Sequence, residues 1–235
     1  MSECLFCTRT NLTKEHILSD WLSQILPRTR NHKETFQGFV NREGKRIFLD
    51  EASAPRIVDG AVHSKTAKCV CMDCNNTWMS RIVNGAKPWA RQAILSEVFE
   101  LDHVKQRQLS MWIGLSAVIA DWEGMSTYKI SKDDREHFRV HGVPPPNWTI
   151  FIGQYWGEEI VAVNQNSFPV FTEDRAGNRA LISCLHNIAT IMGSLYCIAH
   201  PVQAKGGLAR PSDELWVDYH PFLVQIWPIK HELIR

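Results

Sequence analysis

Two Cys-x-x-Cys pairs, Cys4-x-x-Cys7 and Cys71-x-x-Cys74, supply four thiols. Each two-residue spacer lets both sulfurs of a pair turn toward one ion, and four thiolates complete a tetrahedral zinc with no open position. That is scaffold chemistry rather than catalysis. The chain has seven cysteines, an odd number, and in a reducing compartment metal binding explains the paired spacing better than disulfides do. Cys69 is a neighbouring candidate for a ligand place, but its spacing from Cys71 points it to the other face of an extended strand, and Cys184 and Cys197 sit in apolar runs where free cysteine behaves as a small buried hydrophobe. Beside the knuckles lie Glu15-His16 and Asn75-Asn76. A neutral imidazole of reference pKa ~6.5 takes up a proton near neutral pH and needs a partner to hold one tautomer. A hard divalent ion prefers oxygen ligands and binds few protein groups. Read for local structure alone, the same residues start helices: Glu15 suits a first turn capped by Thr13, and Asn75 and Asn76 suit helix caps or partners of the cysteine sulfurs.

The elements that must position these groups follow from periodicity and punctuation. Ile17, Leu18, Trp21, Leu22, Ile25 and Leu26 form an amphipathic helical stripe closed by Pro27, which places His16 at a helix start. Residues 28–60 are polar and broken by Gly38, Gly44 and Pro55, the pattern of a long loop or of irregular strands such as Arg46 to Leu49. A second helix opens near Cys74 and runs to about Val83. The segment from Asn84 to Trp89 then marks a boundary, giving parts 1–85 and 86–235. Pro88 starts a helix through Val98 and Phe99, Asp102 caps a longer one around Trp112, and Ser131 caps a third that ends at Gly142. After Pro144 to Pro146 the pattern turns to strands: 148–155, 159–163, 168–172, two runs between Ala180 and Ala199 divided at Gly193, 215–219 and 222–227. Helices followed by strands without regular alternation predict an α+β fold with an antiparallel sheet.

Cys4-x-x-Cys7, then Thr13-Lys14-Glu15-His16-Ile17, then Cys71-x-x-Cys74-Asn75-Asn76 followed by Trp78-Met79-Ser80, resembles the zinc-containing branch of the HNH endonucleases, the ββα-metal nucleases. It is most similar to a bacterial group with an "EHI…W" element and a "C-x-x-C-N-N-x-W-M-S" element. The motifs cover about the first third of the chain, and the segment from Ala86 to Pro228 is similar to the same group. The resemblance implies a zinc-knuckle ββα-metal N-terminal domain with a helical plus antiparallel-sheet domain after it. It implies that His16 is the general base that activates water, that Glu15 stands where the acidic ligand of one divalent ion (Mg²⁺ or Mn²⁺) is usually Asp, and that Asn75 is the second protein ligand. Cys4, Cys7, Cys71 and Cys74 then hold a structural zinc. Where the family carries a further ligand three to four residues after Asn75, this chain has Trp78 and Met79; Asn76 and His63 are the alternatives for that place.

Composition bounds the function. With 235 residues, 44% hydrophobic and 22% charged, the chain is an ordinary globular one, and its net charge of +1 excludes a whole-chain basic field. The first 85 residues carry +3 and the rest −2, so a polyanion is favoured on the cysteine-bearing part. Arg28, Arg30, Arg42, Lys45 and Arg46 form either a phosphate track or a solvated loop. No apolar run reaches the ~18 residues of a membrane span, and the sequence MSECLFCTRT lacks a signal-peptide core, which together predict a cytoplasmic protein without membrane contact. The expected function is a metal-dependent endonuclease acting on DNA, with RNA as the other substrate, and with a second copy or a protein partner met through residues 86–235. The alternative is a catalytically degenerate, zinc-stabilised module that binds nucleic acid or protein.

Overall fold

The computed structural model describes residues 2–27, 31–42, 45–48, 56–59, 64–97, 100–124, 128–158, 160–173, 179–204 and 223–229. Around Cys71 the chain makes a short antiparallel pair, β1 (Leu12–His16) with β5 (Thr66–Cys71), and continues at once into helix. α1 (Met72–Cys74), one π turn (Asn75–Met79) and α2 (Ser80–Ile94) are continuous from 72 to 94. α3 (His103–Glu123) and α4 (Lys132–His141) follow. The remaining strands are β2 (Asn31–Arg42), β3 (Lys45–Phe48), β4 (Arg56–Asp59), β6 (Trp148–Gln154), β7 (Val161–Glu173), β8 (Arg179–Met192), β9 (Leu195–Ala204) and β10 (Val224–Trp227). They form one eight-stranded sheet ordered β10-β6-β9-β8-β7-β2-β3, with β4 also on β2. The fold is α+β and the sheet is antiparallel except where β2 runs parallel to β7, Thr35 opposite Asn164.

α3 is the pivot. Asp102 caps it by accepting the Lys105 N–H at 2.9 Å, and its buried side chains include Leu109, Met111, Trp112, Leu115, Val118 and Ile119, spread around the whole circumference as in a core helix. It packs on α2, where Ala86 and Ala90 are fully buried, and on β5, β9 and β10. One core therefore runs from Leu5, Phe6 and Val70 beside the cysteines, through Trp21 and Trp112, to Ile150, Ile188 and Ile226 of the sheet. Gly114 permits the closest approach: a Cβ there would lie 2.8 Å from the Phe138 ring of α4. Gly193, with φ +56°, turns β8 into β9, and the next N–H, of Ser194, donates to the Ile94 carbonyl at 3.0 Å, fastening the end of α2 to the sheet.

A polar cluster lies under α3. Asp121 accepts from the Ile130 N–H at 2.8 Å and from Gln165 Nε2 of β7 at 2.6 Å. His186 of β8 is fully buried, with Ser167 Oγ 3.1 Å and Asp121 Oδ1 3.6 Å from its Nδ1. Burial pushes the Asp121 carboxyl up to about 6 and the His186 imidazole down to about 4.

Several expected elements differ. His16 ends strand β1 rather than starting a helix, and Thr13 pairs with Val70 in that strand instead of capping. The apolar stripe after it folds as two bends and a single 3₁₀ turn, Asp20–Gln24. Of the loop or irregular strands expected at 28–60, the strands are found: β3 covers most of the expected Arg46 to Leu49, and β2 and β4 lie on either side of it along the chain. Pro88 lies inside α2, so the helix continues past Val83 and through the expected boundary at residue 85, ending at Ile94. The expected runs 159–163 and 168–172 are one strand, β7. Residues 98–99 and 215–219 lie outside the described residues. The expected capping by Asp102 and Ser131, the end of α4 at Gly142 and the division at Gly193 all match the structure.

Candidate functional site

The four knuckle sulfurs converge. One ligand atom from each of Cys4, Cys7, Cys71 and Cys74 lies within 4.8 Å of every other, with Cys7 and Cys71 sulfurs 3.6 Å apart and Cys7 and Cys74 sulfurs 3.8 Å apart. Tetrahedral zinc–thiolate bonds of about 2.3 Å put sulfurs about 3.8 Å apart, so this cluster can hold an ion such as zinc. The backbone turns the sulfurs inward: the Phe6 N–H donates to Cys4 Sγ at 3.5 Å and the Cys74 N–H to Cys71 Sγ at 3.4 Å. Those bonds stabilise thiolate charge. The Cys71 thiol is held below its ordinary value chiefly by these and neighbouring sulfur contacts, which outweigh its burial, while burial pushes Cys7 and Cys74 up. An Arg9–Asp73 ion pair ties the first knuckle to the start of α1. Cys69 stays out of the cluster, fully buried, with burial raising its thiol to about 12. Cys184 and Cys197 are buried, as expected of small hydrophobes.

Glu15 and Asn75 meet. Asn75 Nδ2 donates to Thr13 Oγ1, two residues before Glu15 on β1, at 3.3 Å, Thr13 Oγ1 donates to the Val70 carbonyl at 3.1 Å, and the Asn75 amide lies close enough to the Glu15 carboxyl to lower its pKa. The knuckles explain the meeting: they hold the approach to β1 against the end of β5, and the π turn places Asn75 directly after Cys74. Burial pushes the Glu15 carboxyl up to about 7 against the lowering effect of Asn75. His16, the next residue along β1, is half-buried, with Nε2 3.6 Å from Asp20 Oδ1. The site thus combines a desolvated carboxylate, an amide and an imidazole with an acidic neighbour.

The helix supplies no further hard-metal ligand at the expected spacing. Trp78 packs edge-on against Phe6, ring centroids 5.0 Å apart at 87°, Met79 is buried, and Asn76 is exposed. His63, Arg28 and Arg30 lie outside the described residues, as do the side chains of Arg42, Lys45 and Arg46. Sequence reasoning missed Asp20, although its place four residues after His16 was the available signal, and it gave Thr13 the wrong role. Among the described residues no helix is long and apolar enough to cross a membrane. No protein-family model, curated protein or solved structure matches the chain.

Proposed function

We propose that the chain is a divalent-metal-dependent endonuclease of the HNH type, hydrolysing phosphodiester bonds in DNA on a zinc-held scaffold. The observation that carries this reading is the hydrogen bond of Asn75, on the helix after the second knuckle, to Thr13 on β1, which sets Asn75 beside the strand that carries Glu15 and His16. The strand-strand-helix order of β1, β5 and the helical segment from 72 to 94 supports it. Glu15 and Asn75 offer oxygen donors, which suit Mg²⁺ or Mn²⁺, and a cation there replaces the solvation that burial takes from the Glu15 carboxylate. Bound by those two residues, such an ion supplies Lewis-acid stabilisation of charge on the phosphate and the leaving oxygen.

The chain's own residues do the rest. With Nε2 turned to Asp20, His16 accepts the proton of the attacking water on Nδ1, and the Asp20 carboxylate steadies the imidazolium that results. The water oxygen bonds to phosphorus as the bond to the leaving sugar oxygen breaks, that oxygen takes a proton from solvent water to leave as an alcohol, and His16 returns its own proton to the solvent. Asn75 orients Glu15 and Thr13 through its amide. Residues 86–235 serve substrate, partner or oligomer selection.

Trp78 and Met79, in the place of a further ligand, favour a second reading: a degenerate module that keeps zinc and binds nucleic acid or protein. Mn²⁺ binding followed by electron paramagnetic resonance separates the two. One Mn²⁺ per zinc-loaded chain, lost in Glu15→Gln and Asn75→Ala, supports the nuclease; no Mn²⁺ bound by the wild type sinks it in favour of the module.

A further inference from the structure

A cavity of about 790 Å³ opens between α2, α3 and α4, within the ~300–1,000 Å³ range of ligand pockets. Its cationic lining is Arg81 from α2, Arg107 from α3 and Arg139 from α4, with the imidazoles of His103 and His141 beside them; no carboxylate lines it among the described residues. The apolar part of its wall includes Trp78, Met111 and Phe138, and Val104 and Val140 stand exposed at 64% and 57%. Three guanidiniums around an apolar recess form an environment for groups that pair a flat apolar body with anionic oxygens. Arg139 also lines a second cavity of about 370 Å³, beside Phe6, Cys7 and Thr8 of the first knuckle and Lys132 of α4. Its carboxylate, Glu136, is engaged by Arg139 at 2.9 Å.

We infer that this groove binds an unpaired nucleic-acid strand, its bases laid against the half-buried Trp78 and the exposed Val104 and Val140 while Arg81, Arg107 and Arg139 hold the phosphates. Two observations choose a strand over a single small anion. Arg139 lines both cavities, so Arg81, Arg107, Arg139 and Lys132 mark out a path over two neighbouring recesses, which suits a repeating polyanion. The path also starts at Trp78, three residues after Asn75 on the same helical segment, so a strand in the groove leads toward the proposed reaction centre. A recess of about 790 Å³ has room for an extruded base or for single nucleotides of a separated strand rather than for a duplex. The inference deepens the nuclease reading by naming its substrate form, single-stranded or locally unpaired nucleic acid, and rests on that reading only for what happens to the strand afterwards.

Fluorescence anisotropy tests it with the zinc-loaded full chain and no Mg²⁺ or Mn²⁺, using a labelled single strand of about 12 nucleotides and the duplex of the same sequence. The expected result is tighter binding of the single strand. Arg81→Ala and Arg139→Ala each weaken it by about 3- to 10-fold and reduce the slope of log K against log salt by about 0.7, the loss of one phosphate contact. Arg81→Lys restores the slope, which separates lost charge from lost fold. Arg91→Ala, at an exposed position on α2 that lines neither cavity, stays within about twofold of wild type. Unchanged affinity in both alanine variants overturns the proposal, as does preference for the duplex, or equal competition by a mononucleotide or a polyglutamate peptide. Plasmid cleavage is measured separately with metal added: groove variants that lose strand binding in a chain that never cuts defeat the nuclease reading alone, and a chain that cuts while those variants bind normally defeats the groove alone.

Discussion

Asp121 and His186 titrate in opposite senses within one buried cluster, and Asp121→Asn separates them. Asp121 is 2% exposed and its carboxyl rises from 3.8 to about 6; His186 is fully buried and falls from 6.5 to about 4. Between pH 4 and 6 the folded chain keeps a proton on Asp121 that the unfolded chain releases, so this group's contribution falls as pH rises. Over nearly the same window the unfolded chain takes a proton on His186 that the folded chain refuses, so that contribution falls as pH drops. The two slopes, each about 1.4 kcal/mol per pH unit, nearly cancel in the wild type. Holding Asp121 ionised at pH 7 costs about 3 kcal/mol, from a rise of about two units at 1.36 kcal/mol each. An asparagine there accepts the Ile130 N–H through Oδ1 and meets Gln165 once that amide rotates. Asp121→Asn therefore gains about 3 kcal/mol at pH 7, gains little near pH 4, and exposes the His186 slope. Urea unfolding followed by tryptophan fluorescence, with the variant's curve subtracted from wild type at each pH, reads this directly. A variant less stable than wild type at pH 7, or a difference that does not change between pH 4 and 6, refutes the reasoning.

Other outcomes follow from the site and the core. Mg²⁺ or Mn²⁺ at about 100 times its dissociation constant raises wild-type stability by about 2.7 kcal/mol, and Glu15→Gln abolishes the gain; equal shifts in both proteins place the ion elsewhere. Zinc content is one per chain in the wild type and falls in Cys74→Ser, which melts at lower temperature because the knuckles hold β1 to β5; elemental analysis with calorimetry checks both, and an unchanged melt would show that the packed core alone suffices. Gly114→Val forces the buried Phe138 ring away from its edge-on contact with Trp148 at 5.1 Å, and destabilises by about 2 kcal/mol in denaturant titration; a neutral result means α4 moves freely.

The four-cysteine cluster was legible because Cys-x-x-Cys spacing specifies geometry by itself, and the helix caps were legible because Asp102 and Ser131 act over three residues. The stripe from Ile17 to Leu26 reported burial correctly, since Ile17, Leu18, Trp21, Leu22 and Leu26 are all buried, but a bend with a 3₁₀ turn buries the same positions as a helix would. Pro88 was a local stop signal overridden by tertiary packing: Ala86, Ala90 and Ile94 bury against the core and outweigh the lost backbone hydrogen bond. β2 was illegible because one of its partners, β7, lies more than a hundred residues away, and strand propensity depends on that partner. The polar stretch Asn164 to Ser167 divided the expected strand, yet it pairs with β2 on one side and β8 on the other, while Pro169 lies past Ser167 on a stretch with β8 as its described neighbour, where a missing N–H is tolerated. At the site, the approach of Asn75 to β1 was legible as a motif, while the Asp20 neighbour of His16 was signalled only by its spacing of four residues, a spacing that exposed polar residues often share without meeting.

The most direct test of the nuclease assignment is conversion of supercoiled plasmid by zinc-loaded protein with Mg²⁺ or Mn²⁺, wild type beside His16→Ala. The account predicts nicking or linearisation by the wild type, lost in the variant while both retain zinc and the same melting temperature. Equal cutting by the two proteins, or none by a zinc-loaded wild type on plasmid or single-stranded DNA, would contradict it.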